Sequence, residues 1–299
     1  MPASICLDPD ASRCDVEALP APRYPQPKLE PDGRRARSRS GACRERQDDP
    51  RQPQRNVGDA DYAASSAGHG EPYSQLHLTI ARRGRSAFDA PVDAIVCGKS
   101  CWPAVGIAGN PVLRIADLEH DGSPDVILNL YSGGAHCCSI TQVYRYDPGS
   151  QSYAMVQHDF ADPGSLLRTL GGADVFYSAD DRFAYAFTSF AYSGLPLAIW
   201  SFATGRFVNV TARFPAQLAA DAARQYHAYL ANRRQGFGLG SIAAWAADED
   251  LLGRSALVAR TLAARSRAGD LRSADGFAKQ GDAFIAQLQR FLVTNGYTS

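Results

Sequence analysis

Short runs of apolar, aromatic and β-branched residues recur between residues 74 and 211. They are "QLHLTI", "PVLRIADL", "PDVILNLY", "SITQVYRYD", "SYAMVQHDF", "FAYAFTSFAY", "PLAIWSFA" and "RFVNVT". Turn-forming residues separate them, among them Asp147-Pro148-Gly149-Ser150 and Thr204-Gly205. Close spacing with short turns predicts antiparallel meanders. A weak internal repeat points the same way: Tyr131-Ser132-Gly133 matches Tyr192-Ser193-Gly194, and each copy reads as strand, turn, strand, short turn, strand. Repeated multi-strand units suggest propeller-like blades, and two of them suit sheets packed face to face.

After Thr211 the period becomes helical. "FPAQLAADAARQYHAYLANRR" carries Pro215 in a first-turn position and a stripe of Leu218, Ala222, Tyr226, Tyr229 and Leu230. "SIAAWAADEDLLGRSALVARTLAARSRAG" reads as one helix capped by Ser241, with Leu251, Val258 and Leu262 on one face and Gly269 as its stop. "GDAFIAQLQRFLVTNGY" places Phe284, Ile285, Leu288, Phe291 and Leu292 at helical spacing, between Asp282 and Asn295-Gly296. The predicted class is α+β: blade-like antiparallel sheets over about 74–211, then a helical region over 212–299 packed on the β module.

Residues 1–72 differ from the rest. "PAPRYPQPKLEPDGRRARSRSGACRERQDDPRQPQRN" is rich in Pro and Arg and nearly devoid of large apolar residues. Such a segment buries too little surface to offset its ordering entropy, so a disordered tail is expected. Its Cys6, Cys14 and Cys43 are expected to be unpaired.

Charge narrows the function. The formal net charge is zero and the only lysines are Lys28, Lys99 and Lys279. Nothing here suggests a nucleic-acid binder, which needs clustered basic residues on a folded surface. No apolar run has the length of a membrane span. No signal peptide is visible in "MPASICLDPDASRCDVEALP", although a mis-assigned start would hide one.

The richest chemistry lies in "DLEHDGSPDVILNLYSGGAHCC", residues 117–138. Asp117, Glu119, Asp121 and Asp125 stand at positions 1, 3, 5 and 9 of a loop, with Gly122 at the turn and the Ser123 carbonyl available as a further oxygen. Hard cations such as calcium want several oxygens in flexible geometry. The loop resembles the calcium loop of FG-GAP/VCBS-type repeats, D-x-D-x-D-G-x-x-D followed by an apolar strand. The likeness covers about residues 111–145. It implies an integrin-like propeller blade, a secreted or periplasmic location, a scaffold or binding role toward a protein or carbohydrate ligand, and one calcium ion on Asp117, Glu119, Asp121, Ser123 and Asp125. Glu119 departs from the usual Asp or Asn. The wider stretch also resembles bacterial extracytoplasmic proteins with a Gly-Gly-Ala-His-Cys-Cys segment, a likeness that implies no activity.

Cys97, Cys101, Cys137 and Cys138 are an even set in the folded part. Three pairings are open. Either one bond ties "CGKSC" to the hairpin, or each local pair closes on itself. Disulfides imply an oxidising compartment. The alternatives are zinc on Cys97, Cys101, His136 and Cys137, or free buried thiols. The familiar enzyme signatures fail. "CGKS" has Asp93 where a phosphate loop needs its first Gly, and "GFGLGS" ends in Ser241 where a dinucleotide fingerprint needs Gly. The reading is a calcium-binding, non-catalytic extracytoplasmic module. The competing one is a hydrolase-like enzyme with its site at the junction of the β and α parts, where perturbed His, Asp and Arg would converge.

Overall fold

The computed structural model describes residues 59–66, 73–98, 101–104, 111–134 and 136–298. The expectations for residues 1–58 and for Cys6, Cys14 and Cys43 lie outside these. The antiparallel sheets and the helical C-terminal region are both present. One boundary moves: β1 (Asp59–Ser66) falls inside the segment expected to be a tail, and it pairs with β2 (Tyr73–Arg82).

β1, β2 and β3 (Arg85–Pro91) form the first sheet, in chain order. The second is built on β6 (Asp125–Gly134), flanked on one side by β4 (Trp102–Pro103) and β5 (Leu113–Ala116) and on the other by β7 (Cys137–Asp147), then β8 (Ser152–Asp159). The third is β9 (Leu166–Leu170), β10 (Ala173–Ala179), β11 (Leu197–Ala203) and β12 (Arg206–Asn209), again in chain order.

Strand alternation stacks these sheets. Val126, Leu128, Leu130, Ile140 and Tyr144 pack against Leu76, Leu78 and Ile80 of the first sheet. Ile127 and Val143, on the opposite face, meet Phe160, Leu167, Phe176 and Phe202 on the third-sheet side. A strand buried on both faces loses its polar positions, which explains the unbroken "VIL" at 126–128. The third sheet repeats the device: Phe176 faces the second sheet, whereas Val175 and Ile199 face Leu218 of the first helix.

The helices are α1 (Pro215–Asn232), α2 (Leu239–Leu251), α3 (Ser255–Arg267) and α4 (Gly281–Thr294). The long helix expected from residue 241 is two helices, because Gly253 takes a left-handed backbone (φ 74°) that ends α2. Its cap is also displaced: α2 starts at Leu239, and Ser241 is buried within it. Residues 239–249 are buried throughout, so α2 is the central helix. Trp245, Phe284, Leu288 and Leu292 share its core.

Two strand assignments change. "FAYAFTSFAY" is a succession of turns, not a strand. Phe183 and Phe187 are buried among the helices, in edge contact with Phe291 at ring distances of 4.9 and 5.0 Å. The strand that precedes β11 in the sheet comes earlier: it is β10, of the hairpin β9–β10. Its Gly171-Gly172 turn has positive φ at both positions, the geometry that matches strand twist in a two-residue hairpin. The repeat therefore aligns differently. Tyr131–Gly133 closes β6, but Tyr192–Gly194 is a loop pressed on α2. A Cβ at Gly194 would stand 2.7 Å from the Gly240 carbonyl oxygen, so both positions need glycine for close approach.

Candidate functional site

The acidic loop joins β5 to β6. Asp117 accepts the N–H groups of Asp121 (3.0 Å) and Gly122 (2.9 Å), and Asp121 accepts that of Ser123 (2.8 Å). Gly122 supplies the left-handed turn at φ 84°. Asp125 is 2% exposed and accepts the Leu118 N–H at 3.2 Å. Burial, with Glu119 and Asp121 nearby, pushes its carboxyl up to about 7. Glu119 leaves the loop. It pairs with Arg145 on β7 at 2.6 Å and accepts the Thr204 N–H from the β11–β12 turn. Arg145 also approaches Asp121 at 3.7 Å. The loop thus ties the second sheet to the third, with a guanidinium as one counter-charge.

Among the described residues, the group of three or more metal-type ligands lying within 4.8 Å of one another is Cys137, Cys138 and Asp159. The loop acids do not form such a group. The sulfurs are bonded to each other: Cys97 to Cys101 and Cys137 to Cys138. Of the connectivities left open, the local one is present, and no bond ties the Cys97–Cys101 loop to the hairpin. The thiolates a zinc site would need are used in these bonds.

Asp159 leads to the second feature, a cleft of about 430 Å³ between the ends of the second and third sheets. His158 and Asp159 enter from the end of β8, Asp181 and Arg182 from the 3-10 turn after β10, Trp200 from β11 and Asn209 from β12. One wall is aromatic. The His158 ring lies 4.3 Å from Trp200 and 4.5 Å from Phe160. Burial lowers the His158 pKa, against the opposing charge of Asp159.

The opposite wall is acidic. Asp180 caps the turn by accepting the Arg182 N–H at 3.0 Å. It also holds the Arg182 guanidinium (Nε at 2.9 Å, Nη2 at 2.5 Å) and accepts the Tyr297 hydroxyl at 2.7 Å. Asn295 receives Arg182 Nη1 at 3.1 Å, so the end of α4 braces this wall. Arg182 is thereby committed to Asp180. Asp181, beside it, has a buried Oδ1 with no hydrogen-bond partner. Burial, then Asp162, Asp180 and Asp159, raise its pKa. A buried acceptor without a donor is costly, and the Asp181 side chain belongs to the lining of the cleft.

Sequence reasoning did not bring together His158, Asp159, Trp200 and Asn209. These come from separate strand ends, and no spacing rule connects them.

No family model matches this chain, and no solved structure matches it. Over 105 residues it is 31% identical to a probable thylakoid lumen protein of Synechocystis sp.. The match covers 33% of this chain and 31% of that protein. The chain thus spans about a third of the length of the curated relative it matches.

Proposed function

We propose that the protein is an extracytoplasmic, non-catalytic binding module whose cleft holds a neutral or amine-bearing sugar unit. The observation that carries this is the unpartnered Asp181 oxygen in an acidic cleft with an aromatic wall. Sugar hydroxyls donate to carboxylates, and ring faces cover the apolar side of a pyranose. The surplus of carboxylate over free guanidinium disfavours acidic sugars and favours an amine. The lumenal name of the relative and the two disulfides support an oxidising compartment outside the cytoplasm. In calorimetric titration glucosamine is expected to bind and glucuronate to fail. Asp181→Asn should weaken glucosamine about tenfold, the size of losing a hydrogen bond to a charged group. No binding of glucosamine would overturn the proposal.

One observation favours a second reading. A carboxyl with a raised pKa beside other carboxylates is the arrangement of a glycosidase acid and its partner. Hydrolysis of an aryl glycoside that Asp181→Asn abolishes would replace the binding module with an enzyme.

Calcium on Asp117, Glu119, Asp121, Ser123 and Asp125 belongs to the same proposal. Its support is the loop spacing and the gathering of Glu119, Asp121 and Asp125 about the Arg145 guanidinium. Full ligation requires Glu119 to exchange Arg145 for the ion. A ligand bound only by the native state stabilises it. Millimolar calcium should therefore raise the melting temperature, a chelator should reverse this, and Asp121→Asn should blunt it. A curve unmoved by both additions would leave Arg145 as the loop's working counter-charge.

A further inference from the structure

We infer that an exposed aromatic platform beside the cleft extends it, so that the ligand is an oligosaccharide held at two or more units. This rests on the saccharide reading of the cleft. The platform assembles from three segments distant in sequence. His136 is exposed at the β6–β7 tip, with its ring centroid 3.8 Å from Phe190 and 6.2 Å from Tyr185. Tyr185 lies 5.3 Å from Phe190 and 6.0 Å from Phe277, nearly parallel to the latter at 29°. Tyr185 and Phe277 are 45% and 46% exposed.

Aromatic rings gathered only for folding would be covered. These are held open by polar contacts behind them. Asp275 accepts the Thr188 hydroxyl and the Ser189 N–H, both at 2.8 Å, and the Phe277 N–H at 3.3 Å. One carboxylate thus fixes two of the three segments. Tyr185 has a left-handed backbone (φ 59°), and its N–H is held by the Ser193 hydroxyl at 3.0 Å. That conformation is unfavourable for a bulky residue and persists where surroundings impose it. Rigid rings fixed in advance lose little entropy on binding.

The platform adjoins the cleft through the bonded Cys137–Cys138 pair, which follows His136 in the chain and lies against Asp159. On the other side Tyr185 is three residues from Arg182 of the cleft. A sugar seated at Asp181 can therefore carry its next units over the rings. The platform is uncharged at Tyr185, Phe190 and Phe277, which suits stacking on pyranose faces and leaves charge recognition to the cleft.

The test compares glucosamine with its β-1,4-linked tetramer by calorimetry on the full chain. The tetramer should bind at least about tenfold more tightly, as expected when further rings are covered. Tyr185→Ala and Phe277→Ala should each remove most of that advantage without changing the affinity for glucosamine, and both should melt like the parent protein. If glucosamine binds and the tetramer gains nothing, or if both variants keep the gain, the platform inference is overturned and the cleft reading stands. If neither saccharide binds, both fall.

Discussion

A chain ended at Ala268 is expected to be recovered as aggregate, whereas one beginning at Asp59 and running to the C-terminus should elute as a folded species on gel filtration. The first loses α4, whose Phe284, Leu288 and Leu292 are 0%, 0% and 2% exposed. Burying each such side chain stabilises by roughly 1.5–3 kcal/mol. Three of them approach the roughly 5–15 kcal/mol that holds a domain folded. The same cut removes Asn295 and Tyr297, which brace Arg182 and Asp180, so any folded remnant should also bind glucosamine poorly. The start at Asp59 matters as well. A start at Tyr73 removes β1 and turns β2, which carries the buried Leu76, Leu78 and Ile80, into a sheet edge open to another chain. Recovery of the Ala268-terminated chain as a monomer with native circular dichroism would refute this account of α4.

Stability should fall as pH rises from about 4 toward 9, and Asp248→Asn should flatten most of that decline. Asp248 is fully buried on α2, lies near the Asp221 carboxylate of α1 and accepts the Leu197 N–H at 3.2 Å. Burial first, then the Asp221 charge, push its carboxyl up to about 9 from 3.8. The folded protein therefore keeps a proton that the unfolded chain releases above about pH 4. This contribution is complete below the unfolded pKa and is lost as pH climbs to the folded one, at about 1.4 kcal/mol per unit. Asp125, raised to about 7 chiefly by burial, adds to the slope below that pH. An asparagine at 248 can accept from Leu197 and donate to Asp221 without a proton to lose. Denaturant titrations at pH 5 and 8 should show a larger loss of stability in the parent than in the variant, on the order of a few kcal/mol. Equal slopes would mean that Asp248 is ionised in the folded protein.

Much of the architecture was legible because two periodicities dominate it. Leu76, Leu78 and Ile80 announce a strand by alternation. Phe284, Leu288 and Leu292 announce a helix by their spacing of four. The errors arose where tertiary burial imitates these signals. Phe183, Phe187 and Phe190 look like strand aromatics, but they fill the helical core or surface the platform, and their backbone turns between them. The hairpin β9–β10 is written in "SLLRTLGGADVFYSAD" by its Gly-Gly turn, a local signal. Gly253 broke a helix whose apolar stripe continues on both sides of it. The loop acids were found by spacing, but the departure of Glu119 toward Arg145 was not, since it depends on a turn 85 residues away. The cleft was least legible. Its residues share no segment, and only folding brings Asp159 of the second sheet to Trp200 of the third and Asp181 of the turn after β10.

The two disulfides have sequence separations of 4 and 1. Closures this short remove little freedom from an unfolded chain compared with long ones. They cross-link no pair of sheets and no helix to a sheet. These two bonds therefore change the dimensions of the denatured chain little, and among the described residues the ties between layers are non-covalent. Neither bond constrains which layer packs on which, so the topology of the described residues does not depend on them. Oxidation is thus a local event at two turns, one of them beside Asp159 of the cleft.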